Sequence, residues 1–259
     1  MTPTLIVHRL DLILRLLDTT TGREISATEV SLFRDGKPLH PLEKERGTLI
    51  FPGLGREDFV LGLRSKYFES FSLPIRYSEL DEKTPTVELH LIPSDVSVSP
   101  MRCLTLSGRL PGIRELTAVR AGDTSCLIRE FDERKKLMTV FNPHNLELGR
   151  THYALVNPEK GSYERFCIAK RVDDKTLKLD RVIKSEFGSN WPVCPVLFGQ
   201  TNEEGDYLLR VRDDSSKAKW LIRYMLGEEE RFCCVDMSQQ RELPPADGGE
   251  GQETLKGVM

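Results

Sequence analysis

Five histidines, six cysteines and several acid pairs are the residues of this 259-residue sequence whose types could do chemistry, and their spacing decides whether they form sites. His8, His40, His90, His144 and His152 never fall at HxH or HxxxH spacing, so no local chelating pair exists. His144, in the turn-like run Asn142-Pro143-His144-Asn145, would join His152 as a ligand only if the fold brought them together. Cys103, Cys126, Cys167, Cys194, Cys233 and Cys234 include no CxxC pair, which removes the usual zinc and dithiol readings. The first four have Leu, Val, Ile or Phe neighbours and are expected to be inert core thiols. Without paired spacing or an export signal, all six are expected to be free. Asp132-Glu133, Asp173-Asp174, Glu203-Glu204 and Asp213-Asp214 could serve as acid–base partners or calcium ligands, yet no D-x-D-x-D-G loop is present. Each pair sits where a turn is expected, and Asp favours turns through its backbone hydrogen bonds. No GxSxG nucleophile elbow occurs, and Cys126 is expected inside a strand where nothing lowers its pKa. No catalytic, cofactor-binding or metal-ligating residue is therefore assigned.

The glycine-rich stretch GTLIFPGLGREDFVLGLRSKYF (47–68) raises the question of a phosphate loop. A dinucleotide loop needs GxGxxG between a strand and a helix N-terminus, where helix amides receive the pyrophosphate. Gly53-Leu54-Gly55 lacks the third glycine, strand-like FVLGL follows it, and no Gly-Lys-Ser/Thr appears. Pro52-Gly53 reads instead as a turn, and the stretch is expected to be a hairpin.

The elements around these residues are strands. Leu10, Leu12, Leu14 and Leu16 alternate with Asp11, Ile13, Arg15 and Leu17, the period-two pattern of a half-buried strand. Asp35-Gly36 inside EVSLFRDGKPL is a two-residue hairpin signal. TLIF (48–51), FVLGL (59–63) and TVELHLI (86–92) follow at the short spacing typical of a β-sandwich or barrel. IPSDVSVSP (92–100) breaks the pattern, and strands resume with CLTLSGRL, SCLIREF, KLMTVF, YALV and RFCIAKRV. RVDDKTLKLD turns at Asp173-Asp174-Lys175, and WLIRYML (220–226) with RFCCVDM (231–237) forms a last hairpin. The expected class is all-β: a sandwich over 1–95, a second β domain over 96–238 with a barrel-like insert at 126–198, and a flexible tail over 239–259. That tail, SQQRELPPADGGEGQETLKGVM from Ser238 onward, has few core-forming residues, so its deletion is expected to leave the fold intact.

Several of these residues resemble a known family. Asp18 to Thr21-Gly22, Val30, Leu32, Asp35-Gly36-Lys37, Gly47 through Leu54 and Phe59-Val60-Leu61 are similar to the carboxypeptidase-regulatory-like, or transthyretin-like, β-sandwich. Thr201 to Leu209, with Gly205 and Tyr207, echoes the same pattern. The 126–198 region resembles β-barrel modules of phage tails. Such modules usually lack catalysis, so the resemblance implies a structural or protein-interaction role in a phage-tail-like or other multiprotein assembly.

Composition narrows the partners. Charged residues at 30% and a net charge of −3 leave no broad basic field, so nucleic acid is not expected. The basic clusters at 134–136 and 168–184 alternate with apolar residues or are diluted by Asp173, Asp174 and Asp180, as on a wet sheet face. No apolar run reaches bilayer-spanning length, and the N-terminal stretch is interrupted by His8, Arg9, Asp11 and Arg15, so neither a membrane span nor a signal peptide is expected. Apolar residues at 39% fit a soluble, cytoplasmic protein or one built into a particle there. Protein partners bound through strand edges, or copies of the same chain, are expected; the hairpin at 218–237 is the favoured edge, with one face of Cys233-Cys234-Val235 awaiting a partner. The competing reading is an enzyme or ligand-binding accessory protein whose site is built from distant residues of the second domain, with Trp191 and Trp220 available for stacking.

Overall fold

Alternating burial along each strand builds the architecture. The computed structural model describes residues 10–45, 47–94, 103–144, 148, 152–184, 187–212 and 219–244. Residues 95–100 of the expected break at 92–100, His8, the Asp213-Asp214 pair and residues 245–259 lie outside them. Described residues form strands joined by turns, with two single-turn 3-10 segments, and the protein is all-β as expected. The chain divides into two compact units, Met1–Thr19 with Arg23–Met101 and Thr20–Gly22 with Arg102–Met259.

The first unit has two four-stranded sheets. One contains β1 (Leu10–Asp18), β4 (Leu42–Glu45), β5 (Thr48–Pro52) and β8 (Thr86–Leu91) in the order β4-β5-β1-β8. The other contains β2 (Ser31–Arg34), β3 (Lys37–Leu39), β6 (Phe59–Arg64) and β7 (Phe71–Ile75) in the order β3-β2-β6-β7. Leu12, Leu14 and Leu16 are fully buried, packed with Leu49, Phe51, Leu61 and Leu63. At the β2–β3 turn Asp35 and Gly36 both have positive φ, 48° and 81°, the backbone that the Asp-Gly signal anticipates.

The 47–68 stretch is not a hairpin. β5 pairs with β1 and β4, whereas β6 pairs with β2 and β7, so residues 53–58 carry the chain from one sheet to the other. Gly53 and Gly55 supply positive φ of 71° and 79° in this arch. A Pro-Gly turn reverses or redirects a chain equally well, and only distant pairing partners distinguish the two.

The second unit nests one β structure inside another. The outer structure packs the sheet β17-β10-β20-β21 on the sheet β18-β19-β9. Its strands are β9 (Cys103–Arg109), β10 (Ile113–Arg120), β17 (Leu197–Phe198), β18 (Gln200–Thr201), β19 (Asp206–Arg212), β20 (Lys219–Leu226) and β21 (Glu229–Asp236). Leu106, Leu116, Leu209, Trp220 and Ile222 fill the space between them. Trp220 is thus a core residue and no stacking platform, and Trp191 is partly buried against the barrel core.

Between β10 and β17 the chain forms β11 (Leu127–Asp132), β12 (Leu137–Phe141), β13 (His152–Asn157), β14 (Ser162–Arg171), β15 (Thr176–Leu179) and β16 (Val193–Pro195). These run in the order β11-β12-β15-β14-β13-β16. A bridge from Leu127 to Pro192 and the 2.8 Å bond from Val193 N–H to Cys126 carbonyl close the sheet into a barrel. Closure leaves the barrel no sheet edge. Phe166, Ile168, Ile128 and Leu177 fill its interior.

The first residues of the expected tail, 239–244, pack on the second unit, which the expectation of little apolar burial from 239 onward did not include. Arg241 carbonyl accepts the Ser107 N–H at 2.8 Å on the outer strand β9, and Leu243 N–H donates to Tyr207 Oη at 2.8 Å. Leu243 is only 9% exposed, in the core that also holds Met237. A single leucine among prolines and acids does not register as apolar periodicity, which explains the miss. A chain ending at 238 is expected to be about 2–4 kcal/mol less stable than one ending at 244, from one buried leucine and two hydrogen bonds. Urea denaturation of the two truncations measures this; coincident curves would show that 239–244 does not stabilise the unit.

Candidate functional site

Two features stand out once the sequence candidates are placed: a cross-strand thiol–imidazole pair on the barrel and the position of β21 at the end of its sheet. The acid pairs fall largely as turn chemistry predicts. Asp173 Oδ1 accepts the Lys175 and Thr176 amides, each at 2.8 Å, and these bonds hold its carboxyl below the usual range. Among the described residues no group of three or more His, Cys, Asp or Glu could hold a metal ion. No helix among them is long and apolar enough to cross a membrane.

The cysteines divide by burial, and none of the six is in a disulfide. Cys126 and Cys194 are buried as expected, but Cys103 and Cys167 are only half-buried. Burial, with Asp123 nearby, pushes the Cys126 thiol up to about 12, and the same causes raise Cys194 well above the thiol range. Cys233 is likewise pushed up to about 12, by burial first and then by Cys234. These three remain protonated and unreactive near neutral pH.

Cys167 meets a histidine. In the β13–β14 ladder His152 stands directly opposite Cys167, and Sγ lies 3.0 Å from Nδ1. The neighbours Phe166, Ile168 and Tyr153 point into the barrel, so by strand alternation the pair is on its outer surface. The His152 ring is set edge-on to Phe198 on β17, with centroids 5.0 Å apart. Asp180 fixes the Cys167 backbone: its Oδ1 accepts the Cys167 N–H at 2.9 Å, and its own N–H donates to the Cys167 carbonyl at 3.0 Å. Sequence reasoning weighed His152 with His144 and missed this partner. The signal was present, since counting outward from a turn at 158–161 puts residue 152 opposite 167.

The barrel's outer face packs on the host sandwich next to this pair. Ala154, Val156 and Tyr163 meet Val119 and Leu221, and the Tyr163 and Phe232 rings make an edge contact at 5.4 Å. Tyr163 Oη and Thr117 Oγ1 share a buried 2.8 Å hydrogen bond. Beside it, Glu115 Oε2 accepts from Arg165 at 3.0 Å and from Arg223 at 3.2 Å. Partial burial pushes the Glu115 carboxyl up, but the two guanidiniums outweigh it and hold the group ionised. Glu115 adopts φ 51° at the irregularity between Arg114 and Thr117, so a bulge in β10 aims this carboxylate. These contacts tie barrel to sandwich and use their polar groups internally.

In the first unit, a shallow groove of about 440 Å³ lies over β2, β6 and β7. The Phe33 ring covers the space left at Gly62, and the Arg64 guanidinium sits 4.9 Å above that ring. Its apolar lining is thus already in use by the sheet.

Among the described residues β21 has a neighbouring strand on one side only, which places the hairpin at a sheet edge. Its faces do not behave as expected. Val235 and Cys233 pack on the sandwich core, and Phe232 on the opposite face packs against Tyr163, so among the described residues both faces already have apolar neighbours. What remains at this strand is its backbone edge.

No family model matches the chain, and no curated protein matches it. Among solved structures it is similar to the Bacillus anthracis TIE protein at 8% identity and a TM-score of 0.23, over 90% of this chain and 49% of that one. It is also similar to a chimeric titin Z1Z2-Z1Z2 tandem functionalised with a GRGDS exogenous peptide from fibronectin, at 8% identity and a TM-score of 0.13, over 79% of this chain and 80% of that one. The chain spans about half the length of the TIE protein. Likenesses this slight carry no argument about fold or activity.

Proposed function

We propose that this chain is a non-catalytic interaction module that takes up a strand from a partner protein, or from a second copy of itself, along β21. It would do so within a multiprotein assembly such as the phage-tail-like kind that the sequence resemblance implies. The observation that supports this reading is the inequality of the sheet edges. β3 contains Pro38 and β7 contains Pro74, and proline at an edge discourages further pairing. β4 is Leu-Glu-Lys-Glu and exposed throughout, β17 has two residues, and the Arg241 carbonyl bonds the outer strand β9. β8 is six residues long and sets Thr86, Glu88 and His90 on the face away from the core. β21 has eight residues, no proline, and the run Phe232-Cys233-Cys234-Val235. An edge of that length without proline matches what strand addition uses for affinity, a row of main-chain bonds.

Successive residues of a strand direct their N–H groups to opposite sides, so proline at Cys233 or at Cys234 removes an outward donor in one case and a β20-facing donor in the other. One of the two variants is expected to keep the wild-type melting temperature and lose the partner or self-association, read by sedimentation and by pull-down from native lysate. A wild-type chain that stays monomeric and captures nothing, or two folded variants that bind as wild type does, would overturn the reading.

A further inference from the structure

We infer that Cys167, with His152 as its proton acceptor, is a reactive thiol and a site of reversible disulfide exchange with small disulfides.

Three observations carry this inference. The Cys167 sulfur lies 3.0 Å from Nδ1 and 3.8 Å from Nε2 of His152, within reach of one proton transfer. The pair is directly cross-strand in a closed barrel, and His152 is further held by the Val196 N–H bond to its carbonyl at 3.0 Å and by Phe198. The ladder thus sets the two Cα positions opposite each other, and Phe198 bears on the ring. Finally, both residues are half-buried on the outer surface, whereas Cys126 and Cys194 are enclosed. A partly buried thiol beside an imidazole is the arrangement in which cysteine becomes nucleophilic at neutral pH, because the thiolate is the attacking species.

The step balances without any further oxidant. The Cys167 S–H proton passes to the imidazole nitrogen, and the thiolate attacks one sulfur of a disulfide RS–SR. The Cys167–SR bond forms as the S–S bond breaks, and the departing thiolate takes the proton from the imidazolium as RSH. A thiol of the same class reverses the step. His152 leans on Phe198 of β17, so a group attached at Cys167 would stand beside the packing between barrel and sandwich. This site is independent of the strand-addition reading.

The test uses the native full-length chain. Limiting 5,5′-dithiobis(2-nitrobenzoate) at pH 7, with labelled cysteines identified by peptide mass spectrometry, gives a rate for each thiol. Cys103 and Cys234 are half-buried as well and serve as internal references. Cys167 is expected to react about tenfold faster than either, and oxidised glutathione is expected to form its mixed disulfide first at Cys167. In His152→Gln the Cys167 rate is expected to fall about tenfold, with the rates of Cys103 and Cys234 unchanged. Imidazole added to His152→Ala should restore part of the rate, which a merely structural role would not. If that substitution disturbs folding, the wild-type ratio alone decides. A Cys167 rate no higher than that of Cys103 and Cys234, or one unaffected in folded His152→Gln, overturns the inference.

Discussion

Replacing Gly205 by alanine is expected to destabilise the second unit by about 3–5 kcal/mol, although it adds one methyl group. Gly205 has φ 88°, a region where an L-residue is strained by roughly 1–3 kcal/mol. A Cβ built there would also lie 2.7 Å from the Leu110 carbonyl oxygen and 2.8 Å from Pro111 Cα. Both are backbone atoms, so relief requires moving the chain, and overpacking of this kind costs about 1–3 kcal/mol more. The surroundings are fixed, since Leu110 N–H bonds the Gly205 carbonyl at 2.8 Å and Asn202 Oδ1 accepts the Asp206 amide at 2.8 Å. Gly227 separates the two effects: its φ is 62°, but a Cβ there meets nothing within 4 Å. Gly227→Ala should therefore cost only about 1 kcal/mol. Urea unfolding of both variants checks the contrast, and equal losses would show that the close approach at Gly205 does not matter.

Asp11→Ala is expected to destabilise the first unit by about 2–4 kcal/mol. Asp11 sits at the irregularity between Leu10 and Leu12 in the β1–β5 pairing and is only 4% exposed. Its Oδ2 accepts the Gly55 N–H at 3.1 Å, and Oδ1 lies 3.8 Å from Arg56 Nε. Removing the carboxylate strands an amide and a largely covered guanidinium, and an uncompensated charge costs more than the pair contributes. Asp11→Asn retains an acceptor for Gly55 and should fall between. Scanning calorimetry of the whole chain gives the loss, with hydrogen exchange at Gly55 locating it. A melting profile unchanged in Asp11→Ala would mean that the arch stands without this anchor.

Asp11 also marks where sequence reasoning reached its limit. Alternation placed Leu12, Leu14 and Leu16 in the core correctly, because period-two burial is a local property. The same pattern assigns Asp11 to a wet face, since nothing local reveals that residues 53–58 will fold over it. The arch was misread for a related reason: Pro52-Gly53 fixes a change of direction, but sheet membership depends on pairings many residues away. Hairpins with short turns were legible, including Asp35-Gly36 and the β14–β15 pair around Asp173. Cys167 beside His152 was legible in principle, because strand register follows from the turn, but adjacent apolar residues drew attention to burial instead. The edge position of β21 was anticipated; the covering of its Phe232 face by Tyr163 was not, since it requires knowing where the barrel lands.

The nesting of the barrel between β10 and β17 has a kinetic consequence. Those two strands are hydrogen-bonded neighbours, through Thr117 with Phe198 and Ala118 with Leu197, yet the whole barrel separates them in the chain. Closing so long an unfolded loop would oppose their pairing by about 4 kcal/mol of chain entropy. Once the barrel has formed, its two ends are pinned together by the 2.8 Å bond from Val193 N–H to Cys126 carbonyl, and that entropy is already lost. The host sandwich then needs only a short-range closure. A route on which the inner structure forms first would avoid that cost, and on it lesions in the Phe166–Ile168 core would slow the assembly of strands that they never touch.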